Sequence, residues 1–274
     1  MDFSRCESIR KIPNLLMSPN IKELKLRDCK NLVEIDDSVG RLDKLELWDL
    51  HGCVKLETLP SCLSMKSLSD FDLCGCKSLT KFPNISQEMR SLGSLNMRDT
   101  GISELPPSLG NLTGITSLCL GNLAGQLHVP GSIYNLQHLR ILLIFGHFTF
   151  LKDEEPLCNS YGGFSKYVFP RLKDLRFFGS SNLSEIEFIL NYCCPPTLEK
   201  LCIRDSNIVT LPKHIDRFQS LAFLGIRHCC YELEIPRLPQ SVRYVFAPTS
   251  EIFVQVSLIV IKKQFLLPSQ ILVD

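Results

Sequence analysis

A unit of about 24 residues recurs along the whole chain and limits what it can fold into. One clear copy runs from Leu92 to Leu112, with alternating apolar residues at Leu95 and Met97, a small polar residue at Thr100, and then Leu105-Pro106. The positions equivalent to Thr100, called markers below, are Cys6, Cys29, Cys53, Cys76, Thr100, Leu123, His147, Ser180, Ser206, Cys229 and Ser250. Six intervals of 23 or 24 residues are followed by one of 33 and then by 26, 23 and 21. A unit this short cannot bury its own apolar face, so successive units must stack.

Each part of the unit predicts a local structure. The alternating apolar residues predict a short strand with one buried side. The residue before each marker should tolerate the turn that ends the strand; this set is Asp28, Gly52, Gly75, Asp99, Asn122, Gly146, Gly179 and Asp205. The marker thiol or hydroxyl is then expected to turn inward and hydrogen-bond the loop carbonyls of adjacent turns, a ladder that Leu123 and His147 interrupt. The Leu-Pro pairs disfavour a regular helix on the return path.

The unit L-x-x-L-x-L-x-x-C-x-x-L-x-x-L-P resembles the leucine-rich repeat pattern. It predicts an α/β solenoid, a leucine-rich repeat horseshoe with parallel strands on the concave face and an irregular convex side with short 3-10 or helical turns. Residues 1–250 are expected to form one array of about ten turns. The repeat already begins at residue 1 without a polar cap, so we expect a piece of a longer protein.

Two segments depart from the period. Residues 148–168 contain the acidic cluster Asp153-Glu154-Glu155 and the turn-rich segment 159–163, which predicts a loop extruded from the solenoid; a degenerate repeat is the alternative. Residues 251–274 form a divergent apolar tail, either an edge strand over the end of the core or sequence foreign to the repeat. Its apolar runs are too short for a membrane span.

Composition and motifs give no sign of catalysis. There is no phosphate-binding G-x-x-x-x-G-K-[ST] loop, H-E-x-x-H or G-x-S-x-G motif, so we expect a protein that is not an enzyme and has no cofactor. The formal net charge of +1 gives no reason to expect nucleic acid or membrane partners. The thirteen cysteines are an odd number and several are markers, which favours free thiols in a reducing compartment. Cys74-Gly75-Cys76 and His228-Cys229-Cys230 lack a second pair at zinc spacing, so no metal is expected.

Side chains between the core residues of each strand should face the concave surface. In the first half of the array these residues are polar and mixed, whereas around the irregular turn they become apolar, aromatic and basic. Exposed aromatic residues beside arginines are typical of interface anchors, so we predict a partner-binding patch here. Its residues are Leu143, Phe145, Arg176, Phe178, Arg204 and Arg227. The alternative is that the extruded loop folds back and buries the patch.

Four segments resemble a particular family at the level of whole phrases: residues 28–35, 52–60, 99–112 and 239–242. They are similar to the repeat region of plant intracellular immune receptors of the TIR-NB-LRR class, and the resemblance covers residues 1–250. It implies a sensor of pathogen effectors that also holds the receptor off at rest, with an effector, a guarded host protein or the nucleotide-binding domain of the parent receptor as protein partner, in the cytoplasm or the nucleus. The nucleotide-binding and TIR motifs of that class have no counterpart in this sequence. A general scaffold or adaptor, or a truncated resistance-gene product, is the alternative.

Overall fold

A single ten-stranded parallel sheet runs through the molecule and forms its concave face. The computed structural model describes residues 1–150, 167–180, 182–205, 211, 214–227 and 237–246. The strands of this sheet are β2 (Glu23–Lys25), β4 (Leu47–Asp49), β6 (Asp70–Asp72), β8 (Ser94–Asn96), β9 (Ser117–Val129), β10 (Ile141–Phe150), β11 (Asp174–Phe178), β12 (Lys200–Arg204), β13 (Phe223–Arg227) and β14 (Tyr244–Phe246). Each pairs with the strands of the neighbouring turns, as the solenoid prediction requires.

One inward-facing residue from each strand of the sheet contributes to a column in the core. In register these are Leu24, Trp48, Phe71, Leu95, Leu118, Leu142, Leu175, Leu201, Leu224 and Val245. All but Val245 are buried, and the rings of Trp48 and Phe71 stack with centroids 4.5 Å apart. The alternation that predicted the strands therefore also identified the core.

The convex side is irregular, as the Leu-Pro pairs predicted. It carries two-stranded pairs made by β1 (Lys11–Ile12) with β3 (Glu34–Ile35) and by β5 (Cys62–Leu63) with β7 (Asn84–Ile85). Short 3-10 turns occupy Asp37–Arg41, Pro107–Asn111, Gly131–Asn135 and Ile215–Arg217. One α-helix, α1 (Leu183–Phe188), continues into a π turn at Ile189–Cys193.

The turns after the strands confirm most of the predicted turn residues. Positive φ angles occur at seven members of the predicted set: Asp28, Gly52, Gly75, Asp99, Gly146, Gly179 and Asp205. Arg5, just before the Cys6 marker, also has a positive φ but was not predicted. Asn122 was wrong, because in that turn the positive φ of +91° belongs to Gly121. The backbone turns one residue earlier there because β9 does not end after its core residues but continues to Val129.

The thiol ladder is present in the first turns. Sγ of Cys29, Cys53 and Cys76 donates to the carbonyl oxygens of Phe3, Leu26 and Leu50, at 3.0, 3.1 and 3.2 Å. Each acceptor lies one turn earlier, so each thiol satisfies a loop carbonyl of its neighbour. The ladder prediction was wrong at two markers. The Thr100 hydroxyl donates to the carbonyl of Met97 within its own turn at 3.0 Å. Among the described residues, the buried Ser180 hydroxyl has no hydrogen-bond partner.

In the two turns whose markers interrupt the ladder, strand pairing resumes beyond a register shift. The ends of β9 and β10 continue side by side, with a register shift between Phe145 and His147, and Leu123 is exposed. Residues 148–150, placed in the extruded loop by the sequence, therefore belong to β10. The rings of Phe148 and Phe177 stack at 5.7 Å, which extends the core under this part of the sheet. The remainder of the loop at 151–166, the markers Ser206, Cys229 and Ser250, and the 251–274 tail lie outside the described residues.

Candidate functional site

Two parallel rows of side chains cover the concave face. The central row consists of the residues that directly follow the core column: Lys25, Asp49, Asp72, Asn96, Cys119, Leu143, Arg176, Cys202, Gly225 and Phe246. The end row lies two residues further along each turn and consists of Arg27, His51, Cys74, Arg98, Gly121, Phe145, Phe178, Arg204 and Arg227. Because neighbouring strands lie about 4.8 Å apart, consecutive members of a row can touch.

In the first half of the array the central row holds the end row in place. Carboxylate or amide oxygens of Asp49, Asp72 and Asn96 accept the backbone amides two residues later, at 3.0, 2.8 and 3.2 Å. Charged contacts also run from turn to turn. Arg27 Nε lies 3.0 Å from Asp49 Oδ2, and His51 Nδ1 lies 3.4 Å from Asp72 Oδ2. This half is therefore an ordered polar surface.

In the second half the end row forms a stack of rings and guanidinium groups. The rings of Phe145 and Phe178 are parallel within 3°, with centroids 4.3 Å apart. The guanidinium carbon of Arg98 lies 4.6 Å from the Phe145 centroid, and that of Arg204 lies 5.7 Å from the Phe178 centroid. We call these four residues the concave stack. Such cation–π contacts contribute about 0.5–1 kcal/mol each where water has access and more where it is excluded.

A glycine makes the concave stack continuous. Strand β9 lies between β8 and β10, and its end-row residue Gly121 pairs with Phe145. Because Gly121 has no side chain, Arg98 on the far side of β9 can reach the face of the Phe145 ring. The sequence interpretation did not include Arg98, although the glycine next to it in the end row was the signal for this contact.

The six predicted patch residues share one part of the concave face, but they differ from expectation in exposure. The expectation that Phe145 is exposed was wrong: it is 5% exposed, because Arg98 covers one face of the ring and Phe178 the other. Phe178, Leu143 and Arg204 are half-buried. Within the described residues, Arg204 Nε is buried without a hydrogen-bond partner. Arg227 is exposed at the end of β13.

Arg176 is engaged within the chain. Its Nε and Nη2 donate to the two carboxylate oxygens of Asp174 at 2.8 and 2.7 Å. These hydrogen bonds raise the pKa of the Arg176 guanidinium above its usual value. Asp174 is itself buried, so the pair fixes the Arg176 side chain beside Leu143 rather than leaving a mobile cation.

Three of the described cysteines have the chemistry of structural thiols. Burial raises the pKa of Cys53 and of Cys119 to about 12, and that of Cys194 also to about 12. These thiols stay protonated near neutral pH and are weak nucleophiles.

The sequence of this chain is similar to those of known plant proteins. A family model described as disease resistance protein RPS4B-like, leucine-rich repeats, matches residues 64–248. TMV resistance protein N of Nicotiana glutinosa is 29% identical over 240 residues, covering 84% of this chain and 19% of that protein. Disease resistance protein RPP5 of Arabidopsis thaliana is 39% identical over 142 residues, covering 52% of this chain and 10% of that protein. The chain thus spans a fifth or less of the length of these relatives.

A solved structure is also similar to most of the chain. A leucine-rich-repeat protein of Leptospira interrogans superimposes with a TM-score of 0.44 and 17% identity, over 89% of this chain and 70% of that one. Across the part of the chain that the structure describes, none of the helices has the length and apolar character required to cross a membrane.

Proposed function

The chain belongs to the RPS4B-like leucine-rich repeats of plant disease resistance proteins, and from that premise we propose that its concave face recognises a protein partner through the concave stack. The relationship to disease resistance proteins is consistent with a recognition module of an immune receptor. The fold and family also favour a non-catalytic module, and leucine-rich repeats generally bind other proteins through their extended concave surfaces. The predicted resemblance to this class of receptor is confirmed.

The observation that carries the proposal is the composition of the concave stack. Aromatic and arginine side chains are the residues most enriched at the energetic centre of protein interfaces. Phe178 and Arg204 are half-buried before any partner binds. Their side chains therefore lose little further entropy when a partner covers them. The buried, unpaired Nε of Arg204 would gain from an acidic or carbonyl group on that partner.

The partner is proposed to be a pathogen effector or a guarded host protein, or the nucleotide-binding domain of the receptor to which the repeats belong. Binding of the nucleotide-binding domain would explain how one surface can both sense an effector and restrain the receptor. An arriving effector would compete with that domain for the concave face. We place this recognition in the cytoplasm or nucleus of the plant cell, with no catalytic role for the repeats and no small-molecule substrate. A general scaffold would use the same surface without that competition.

The test is a pull-down from pathogen-challenged plant tissue with the wild-type chain and two variants, Phe178→Glu and Arg204→Glu, with and without the upstream receptor domains. Both variants should lose the partner while keeping the thermal unfolding midpoint within a few degrees. Lys81→Glu, an exposed change on the return path, is the matched control for charge reversal and should bind normally. Equal capture by wild type and both stack variants would remove the stack from the interface, and hydrolysis of ATP or NAD by the purified chain would overturn the non-catalytic assignment.

A further inference from the structure

The geometry points to a metal site in the polar half of the concave face: His51, Asp72 and Cys74 are positioned to bind one divalent transition-metal ion of the zinc class. Their ligand atoms, one nitrogen, one oxygen and one sulfur, all lie within 4.8 Å of one another. All three side chains are half-buried, so the cluster lies at the surface but is not freely mobile. This inference is independent of the concave stack.

The parallel register of the solenoid brings these residues together. His51 and Cys74 are consecutive members of the end row, in the turns after β4 and β6, while Asp72 is the central-row residue of β6. Hydrogen bonds join the two turns, because the amide of Gly52 donates to the carbonyl of Cys74 at 2.8 Å. Asp72 is thus held by a strand, and His51 and Cys74 by turns that are hydrogen-bonded to each other.

Further hydrogen bonds orient the ligands. Asp72 Oδ1 accepts the Cys74 amide at 2.8 Å, which leaves Oδ2 facing His51 Nδ1 at 3.4 Å. The His51 amide is in turn held by Asp49 Oδ1 at 3.0 Å. Outer hydrogen bonds of this kind fix first ligands in position in metal sites.

The ligand set selects the class of ion. Zinc bonds of about 2.0–2.3 Å in a tetrahedron separate the ligand atoms by about 3.3–3.8 Å, so the longest separation in the cluster needs to contract by about 1–1.5 Å. Half-buried side chains can make that adjustment by small rotations. A thiolate and an imidazole favour zinc, cobalt or copper over magnesium and calcium, which prefer oxygen ligands. Three protein ligands leave a fourth position for water on the solvent side.

The charge around the cluster also suits a cation. Asp72 and a Cys74 thiolate together carry two negative charges, matching a divalent ion. Asp70 lies two residues before Asp72 on the same strand and adds another acidic side chain near the cluster.

Cys74 must lose its proton to bind. Burial raises the pKa of its thiol, Asp72 and Asp99 add to that effect, and Arg98 and Arg27 oppose it. Metal binding therefore competes with the proton, and affinity should increase as the pH rises toward the thiol pKa. Cys76 is not a ligand, because its Sγ points inward to the carbonyl of Leu50 at 3.2 Å. The Cys74-Gly75-Cys76 sequence thus divides its two thiols between opposite faces.

Cobalt(II) and zinc(II) titrations of the untagged, reduced full chain test the inference. We expect one equivalent of Co²⁺ to give a near-ultraviolet thiolate-to-cobalt absorption band, and Zn²⁺ to abolish that band and raise the thermal unfolding midpoint. Cys74→Ser should lose the band, and His51→Gln and Asp72→Asn should each weaken binding at least about tenfold. Cys119→Ser, which removes a thiol from the same face two strands away, is the matched control and should bind as the wild type does.

Two outcomes overturn the site. One is the absence of any saturable binding by a wild-type chain with native circular dichroism. The other is a Cys74→Ser variant that is folded and retains the band. Loss of binding in Cys119→Ser as well would also reject the three-residue assignment, because that thiol is outside the cluster.

Discussion

Replacing Gly121 with alanine should destabilise the middle of the solenoid far more than the same change four residues away. Gly121 has a φ of +91°, a conformation that residues with a Cβ adopt only at a cost of about 1–3 kcal/mol. An added methyl group would also overlap the carbonyl oxygen of Phe145 on the paired strand. Because that neighbour is backbone, it cannot rotate away, and β9 and β10 must move apart. We expect a loss of about 2–4 kcal/mol.

The matched control is Gly125→Ala in the same strand. A Cβ at Gly125 would meet only the Cβ of Asn122, at the ordinary contact distance of 3.9 Å, and its φ is not positive in the disfavoured range. This change should alter stability by about 0.5 kcal/mol or less.

Thermal unfolding followed by far-ultraviolet circular dichroism can separate the two variants. At about 2–4 °C per kcal/mol for a chain near this size, Gly121→Ala should lower the midpoint by roughly 4–16 °C and Gly125→Ala by about 2 °C or less. Hydrogen exchange should show the loss concentrated in β9 and β10, since stability in stacked repeats is nearly a sum of neighbour terms. Equal midpoints for the two variants would refute both the strained turn and the close approach to Phe145.

Three further predictions concern the core, the ladder and the charge on the concave face. Leu95→Asp places a carboxylate at a position that is 1% exposed, between Phe71 and Leu118. It should unfold the adjacent turns at a cost above about 4 kcal/mol. Hydrogen exchange should then show loss of amide protection in β6, β8 and β9. Cys53→Ala should cost about 0.5–1.5 kcal/mol by removing the hydrogen bond to Leu26, whereas Cys53→Ser, which keeps a donor, should lose less in the same melt. Desolvation, together with the charges of Asp72 and Asp49, raises the pKa of the Asp70 carboxyl group, so its protonated form favours the fold. This contribution to stability is present below the ordinary pKa of 3.8 and is lost as the pH rises through the pKa of the folded state. Asp70→Asn should therefore melt higher than wild type at neutral pH, and that advantage should disappear in acid; the same difference at both pH values would show that charge is not the cause.

Much of the fold was predictable because the turns stack at a constant period. Residues that are one period apart in the sequence are therefore neighbours in the structure. Once the markers were aligned, Leu95 had to lie between Phe71 and Leu118, and the thiol of Cys53 had to face the preceding turn. Both follow from backbone alternation and a constant period, and neither needs side-chain detail. The turn at Gly121 was not predicted, because the period alone does not show whether a strand ends or continues.

The candidate site was less predictable, because it depends on how side chains cross between strands. The sequence placed Phe145 and Phe178 side by side on the correct face. It did not show that Arg98, two strands away from Phe145, would pass over Gly121 and cover that ring. In the same way, the approach of His51 and Cys74 to Asp72 depends on a carboxylate held by a backbone amide, which repeat spacing does not show.

Arg98 connects the two sites on the concave face and can separate their roles. Its guanidinium stacks on Phe145, and its charge opposes the burial that raises the pKa of the Cys74 thiol. Arg98→Gln should therefore weaken partner binding by uncovering the concave stack, and should make cobalt binding require a higher pH by removing a charge that favours the thiolate. Cys74→Ser should abolish cobalt binding and leave the stack intact. If Cys74→Ser alone reduced partner capture in metal-free buffer, the partner would contact the polar half of the face directly, and the stack would not be the centre of the interface.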